Sequence, residues 1–145
     1  MVWITFFFTD SEFDQELKKD SFLEHELIHG NKYGVLKKTV LDAHFQKKDI
    51  LLNIDVNGTA SLRKFCNNQL ELQNSLKTIF IRPSTLTDLS IRIRGRASES
   101  EEQMKIRLAN AEAEMLRERE FDYVLESKDR ELDYERVKEI YLSIR

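Results

Sequence analysis

Few side chains in this 145-residue sequence could do chemistry, and most sort by type and spacing. Cys66 is the only cysteine, so it excludes an intramolecular disulfide and fits a reducing compartment. Beside Leu62 and Phe65 it reads as a small apolar core residue rather than a nucleophile. His25, His29 and His44 are scattered, with no cysteine or second histidine at ligand spacing, so no metal site is expected from them. A phosphate cradle of the form G-x-x-x-x-G-K-[ST] wraps a polyanion in backbone N–H groups. The four glycines are Gly30, Gly34, Gly58 and Gly95, and none of them opens such a run. Arg92, Arg96 and Arg107 are planar, permanently charged forks that suit phosphoryl groups; periodicity alone would place them on solvated helix faces. Asn53 and Asp55 end an apolar run, Ile50–Asp55, and strand ends of this kind border the ligand crevices of open α/β sheets.

The bulk numbers narrow the partners. The chain is 41% hydrophobic and 34% charged, which suits one globular domain with a charged surface. A net charge of -3 lacks the basic footprint of a nucleic-acid binder. The apolar run Val2–Phe8 is far shorter than the ~20 residues of a membrane span. It also lacks a basic leader, so neither membrane nor export is expected and a cytoplasmic location is the default.

Strands and helices alternate along the chain. The β-branched and aromatic run Ile4–Phe8 predicts a strand, and Thr9–Asp20 a helix capped by Asp10 or Ser11. Phe22–Ile28 reads as extended, and Gly30–Gly34 as a turn. Apolar spacing predicts a helix over Val35–Gln46, followed by a parallel strand, Ile50–Asp55, buried on both faces. A short helix containing Leu62–Cys66, a strand Lys77–Ile81 and a helix Leu86–Arg94 come next. Ser98 and Glu101 form a capping box for a helix running to about Glu118; Asp122–Glu126 is the last strand and Leu132–Ile144 the last helix. This order predicts an α/β architecture with a mainly parallel sheet.

Four segments, in order, then resemble one family. ILLNIDVNG (Ile50–Gly58) is similar to the guanylate kinase pattern of an apolar strand ending in Asp-Ile-Asp before a glycine turn. Upstream, FLEHELIHGNKYG resembles the family's Phe-Leu-Glu segment followed by Gly-Asn-Tyr-Tyr-Gly. Downstream, IFIRPSTLTDLSIRIRGRASESEEQMKIRLANAEAEM resembles its lid and flanking helix, and FDYVLE its last strand. The resemblance covers nearly the whole chain and is to the carboxy-terminal part of the family. It implies a three-layer P-loop-kinase-like parallel sheet, truncated at the N-terminus, with part of the GMP-binding subdomain in residues 1–36. Core would occupy 37–91 and 108–145, with a helical lid region over 92–107.

The resemblance also implies roles. Glu24 matches the glutamate that accepts from N1 and the amino group of guanine; a carboxylate offers two acceptors to two adjacent donors. Tyr33 matches a tyrosine that donates to the GMP phosphate, and Gly34 and Asp55 complete the GMP side. Arg92, Arg96 and Arg107 match lid arginines that surround the transferred phosphoryl group; one such arginine can be worth ~10³–10⁵ in rate. Ser127, followed by Lys128, lies on the adenine side, where the family usually has Asn-Asp. Further departures are Val35 for a serine or threonine, Ala97 for a glycine, and Asn53 for the first acid of the strand end. GMP and ATP are the implied ligands, with Mg²⁺ accompanying ATP.

In the family, the phosphate loop and a Thr-Thr-Arg-x-x-Arg phosphate clamp precede these motifs, and neither occurs in the 145 residues. Phosphoryl transfer is mostly positioning and charge stabilisation, so this chain alone is expected to be a poor kinase. Without the phosphate-loop strand the sheet is expected to have open edges, which favour self-association or a complementing chain. Three readings stand: a shortened guanylate kinase converting GMP and ATP to GDP and ADP, a non-catalytic binding module gripping partner peptides on the old GMP face, and a remnant without selected activity.

Overall fold

The computed structural model describes residues 6–28, 30–94 and 101–145. These fold as two compact units, Met1–Leu76 and Lys77–Arg145.

The first unit is built on an antiparallel hairpin of β1 (Phe22–Ile28) and β2 (Asn31–Leu36). It is preceded by helix α1 (Asp10–Lys18) and followed by α2 (Lys37–Phe45) and α3 (Val56–Asn67). The cap of α1 is Thr9, not Asp10 or Ser11: its hydroxyl accepts from the Glu12 N–H at 3.3 Å while the Glu12 carboxylate accepts from the Thr9 N–H at 2.7 Å. That reciprocal box satisfies two otherwise orphaned donors. Phe13 on α1 stacks on Phe22 of β1 with ring centroids 4.3 Å apart, and Phe8 meets both rings edge-on. A second core joins α3 to the segments around it. Leu62, Cys66 and Leu72 are buried, with Leu23, Val40, Leu41, Leu52, Ile54, Phe65 and Leu76 packed against them.

Both α1 and α2 end in a left-handed residue that is not glycine. Asp20 (φ 54) and Lys47 (φ 52) let the next N–H groups, of Ser21 and Lys48, donate back to Glu16 and Ala43. This is the two-bond closure that usually recruits glycine.

The second unit carries a parallel pair, β3 (Ile79–Pro83) and β4 (Tyr123–Ser127), with helices α4 (Leu86–Arg94), α5 (Glu101–Met115) and α6 (Arg130–Ser143). The pair is clamped at its start. Thr78 donates its N–H and hydroxyl to one oxygen of Asp122, at 2.8 and 2.7 Å, and the Asp122 N–H donates to the Thr78 hydroxyl. Phe80 and Leu125 are buried.

Several expectations change. Ile50–Asp55 makes no strand ladder; among the described residues neither sheet includes it, and an apolar run becomes a strand only where a neighbour supplies ladder bonds. Phe6–Phe8 is likewise outside any strand, while residues 1–5 lie outside the described residues. The turn at Gly30 (φ 82) is tighter than Gly30–Gly34, because Asn31 already pairs with Ile28. Val35 and Leu36 belong to β2, so the helix begins at Lys37. The α5 helix stops at Met115, and Glu118–Glu120 makes a separate 3₁₀ turn. The capping box of Ser98 and the substitution Ala97 lie outside the described residues.

Candidate functional site

In the first unit a bulge aims a carboxylate. The β1–β2 register pairs Phe22 with Leu36 but Glu24 with Val35, leaving Leu23 as the extra residue. In a regular strand Leu23 and Glu24 would point to opposite faces. The bulge lets Leu23 join the core against α3 while the Glu24 carboxylate also lies over α3, on Gly58. The approach is so close that a Cβ on Gly58 would sit 1.6 Å from Glu24 Oε2 and 2.6 Å from its Cδ. While the carboxylate keeps this position, only glycine leaves room for it.

Register places the rest. Glu26 pairs with Tyr33 and Glu24 with Val35, so these four side chains share one face of the hairpin. Tyr33 is diagonal to Glu24 and 54% exposed. Gly34 pairs with His25 on the opposite face, where a Cβ would strike the Phe22 ring at 2.6 Å and the Glu24 carbonyl oxygen at 2.9 Å. Its part in the structure is close packing beneath the aromatic cluster. Asp55 caps α3: its Oδ1 accepts from the Gly58 N–H at 2.6 Å, and the other oxygen makes no hydrogen bond among the described residues.

Glu24 is half-buried, and among the described residues its carboxylate has no hydrogen bond or ion pair. Burial raises its pKa above the usual carboxylate value, and the charges of Asp55 and Glu26 push in the same direction. The carboxylate is thus held in a place that disfavours its charge, with both oxygens open. Such a group suits a ligand that brings two adjacent N–H donors.

In the second unit, Ser127 ends β4 and is buried; its hydroxyl donates to Asp133 Oδ2 at 2.5 Å, and the Lys128 N–H donates to Asp133 Oδ1 at 3.1 Å. A cleft of about 270 Å³, lined by Ser84, Asp88, Ile91, Ser127 and Lys128, opens beyond the carboxyl ends of β3 and β4. Ligands of parallel sheets bind at such ends. Arg92 lies in α4 and Arg107, half-buried, in α5; Arg96 lies outside the described residues. Across β3 and β4, Arg82 Nη2 donates to Glu126 Oε2 at 3.3 Å, and Lys128 Nζ stands 3.6 Å from Glu126 Oε1.

Cys66 is buried, which raises its thiol pKa and depletes the thiolate a nucleophile needs. Among the described residues no three carboxylate, imidazole or thiolate groups converge as a metal cage. A Mg²⁺ carried by phosphates keeps several waters and needs only one or two protein carboxylates; at the end of the Ile50–Asp55 run Asp55 is a carboxylate and Asn53 a neutral amide. No helix among the described residues is long and apolar enough to cross a membrane.

Sequence reasoning missed the bulge, the seat on Gly58 and the Asp133 clamp. FLEHELI carries no proline or glycine to mark a bulge, so nothing local signalled it.

Several known proteins resemble this chain in sequence and fold. A family profile described as guanylate kinase matches residues 5–143. A protein named guanylate kinase from Bartonella quintana (strain Toulouse) is 36% identical over 137 residues, covering 94% of this chain and 59% of its own length. One from Thermotoga maritima is 34% identical over 140 residues, covering 97% and 64%. The crystal structure of guanylate kinase from Anaplasma phagocytophilum superposes with a TM-score of 0.70 at 25% identity, covering 95% of this chain and 63% of that one. The chain therefore spans about three fifths of the length of these relatives.

Proposed function

The chain belongs to the guanylate kinase family, and from that premise we propose that it carries the GMP-binding side of ATP-dependent phosphorylation of GMP to GDP. The observation that carries this reading is the Glu24 carboxylate: half-buried, without a partner among the described residues, and seated on Gly58. The guanine edge presents N1–H and the 2-amino group side by side, matching its two free oxygens in charge-assisted bonds. Tyr33, diagonal on the same face, would donate its hydroxyl to the phosphate. Arg92, Arg96 and Arg107 would spread the developing charge of the transferred phosphoryl group. Mg²⁺ accompanying ATP would supply charge neutralisation at the phosphates, and Asp55 and Asn53 would hold its waters. The cleft beside Ser127 and Lys128 would take the adenine side.

Within these 145 residues no glycine opens a phosphate-cradling loop, so GMP binding exceeds ATP binding and turnover by this chain alone is slow. Separate calorimetric titrations with GMP and with Mg-ATP test this. GMP binding that Glu24→Gln abolishes is expected; tight ATP binding by the 145-residue chain would overturn the second half of the reading. A wild-type chain that takes up no GMP would overturn the first.

A further inference from the structure

We propose that Val35 makes this guanine site indifferent to the 6-substituent of the base, so that selectivity rests on N1–H and the 2-amino group alone. The inference rests on Glu24 reading guanine.

Its ground is the placement of charge around Glu24. A guanine edge runs amino group, N1–H, then 6-oxo: donor, donor, acceptor. Two orientations against a carboxylate would differ in which end faces α3. On the α3 side of Glu24 stands Asp55, close enough that its charge helps raise the Glu24 pKa, with one oxygen not engaged by its cap. A carboxylate there attracts the 2-amino donor and repels the lone pairs of the 6-oxo group. The base is therefore turned with its amino group toward Asp55 and its 6-position toward β2. On β2 the residue paired directly with Glu24 is Val35, half-buried and on the same face. Directly paired side chains in an antiparallel ladder have Cβ atoms roughly 4.5–5.5 Å apart, so Val35 is the β2 side chain nearest the 6-position. It has no donor. The neighbouring Gly34 turns to the opposite face and Tyr33 is one ladder step further on, paired with Glu26.

A 6-oxo group facing a valine gains no hydrogen bond. Replacing that oxygen by sulfur, a weak and bulkier acceptor that prefers apolar contact, keeps both donors to Glu24. Removing the 2-amino group instead leaves Glu24 half-paired. A buried acceptor left without its donor is what site selectivity punishes most.

The test is calorimetric titration of the 145-residue chain with GMP, 6-thio-GMP and IMP, then with Val35→Thr. Expected dissociation constants for GMP and 6-thio-GMP lie within about threefold of each other, with IMP at least about tenfold weaker. Val35→Thr adds a hydroxyl with little change of shape and tightens GMP by about two- to tenfold while leaving 6-thio-GMP unchanged. The inference falls alone if IMP is weak yet 6-thio-GMP is also at least tenfold weaker than GMP in the wild type, or if Val35→Thr moves both ligands equally. The underlying reading falls with it if IMP equals GMP or if none of the three binds. The wild-type ratio needs no variant, so it decides the matter even where the Val35→Thr chain folds poorly.

Discussion

Gly58→Ala separates stability from binding, because the added methyl meets a side-chain end and not backbone. Its Cβ would lie 1.6 Å from Glu24 Oε2, and real Cβ contacts essentially never fall under 3.0 Å, so the carboxylate must swing away. No hydrogen bond among the described residues holds Glu24 in place, so the move costs at most one off-rotamer adjustment, about 0.5–1.5 kcal/mol. Against that, alanine in place of glycine inside a helix contributes about 0.5–1 kcal/mol, and Gly58 lies in α3 without a positive φ. Net stability should change by less than about 1 kcal/mol in urea unfolding. Binding should not survive so well. Each bond from a guanine donor to a carboxylate is worth about 1.5–3 kcal/mol, and a displaced Glu24 loses at least one of the two. GMP affinity should fall about 10–100-fold by calorimetry. In a Glu24→Ala background the same Gly58→Ala change should have no further effect on GMP, since the two residues act as a unit. Wild-type affinity in the Gly58→Ala chain, or an additive double mutant, would refute the seating of the carboxylate on Gly58.

Three other outcomes follow from separate observations. Burial and the charges of Asp55 and Glu26 raise the Glu24 pKa above 4.5, so the folded state holds a proton that the unfolded chain has released. Stability is therefore lost as pH rises through the window between the two pKa values. Glu24→Gln should melt higher than the wild type near neutral pH, the gap closing toward pH 4.5, and a gap that widens on acidification would contradict the assignment. Lys47→Gly should stabilise the chain by about 0.5–1 kcal/mol, since a left-handed non-glycine costs about 1–2 kcal/mol and the extra freedom of unfolded glycine returns part of it. Urea midpoints decide that case, with destabilisation the refuting result. Among the described residues β3 and β4 pair only with each other, and Ile81 and Val124 are 54% and 47% exposed, so the 145-residue chain should self-associate. A monodisperse monomer with a concentration-independent melt would count against this.

The sequence by itself determined the alternation of elements and most of their identities, because those follow from near-neighbour chemistry. The helix Leu86–Arg94 was legible from its position after Pro83, and Phe22–Ile28 was read as extended, as β1 is. The family was legible from four motifs in order, including the glutamate, tyrosine and aspartate of the candidate site. What tertiary structure decided was everything that depends on a partner distant along the chain. Ile50–Asp55 has the composition of a buried strand, but strand structure needs a neighbour's N–H and C=O groups, and composition cannot provide one. Thr78 and Asp122 clamp each other across 44 residues without any local sign. The bulge at Leu23 is of the same kind: it arises because Phe22 stacks on Phe13 of α1 while Leu23 is drawn into the α3 core, and only that conflict turns Glu24 onto Gly58. A residue's type says what it can bind; the competition between two packed faces decides where it is aimed.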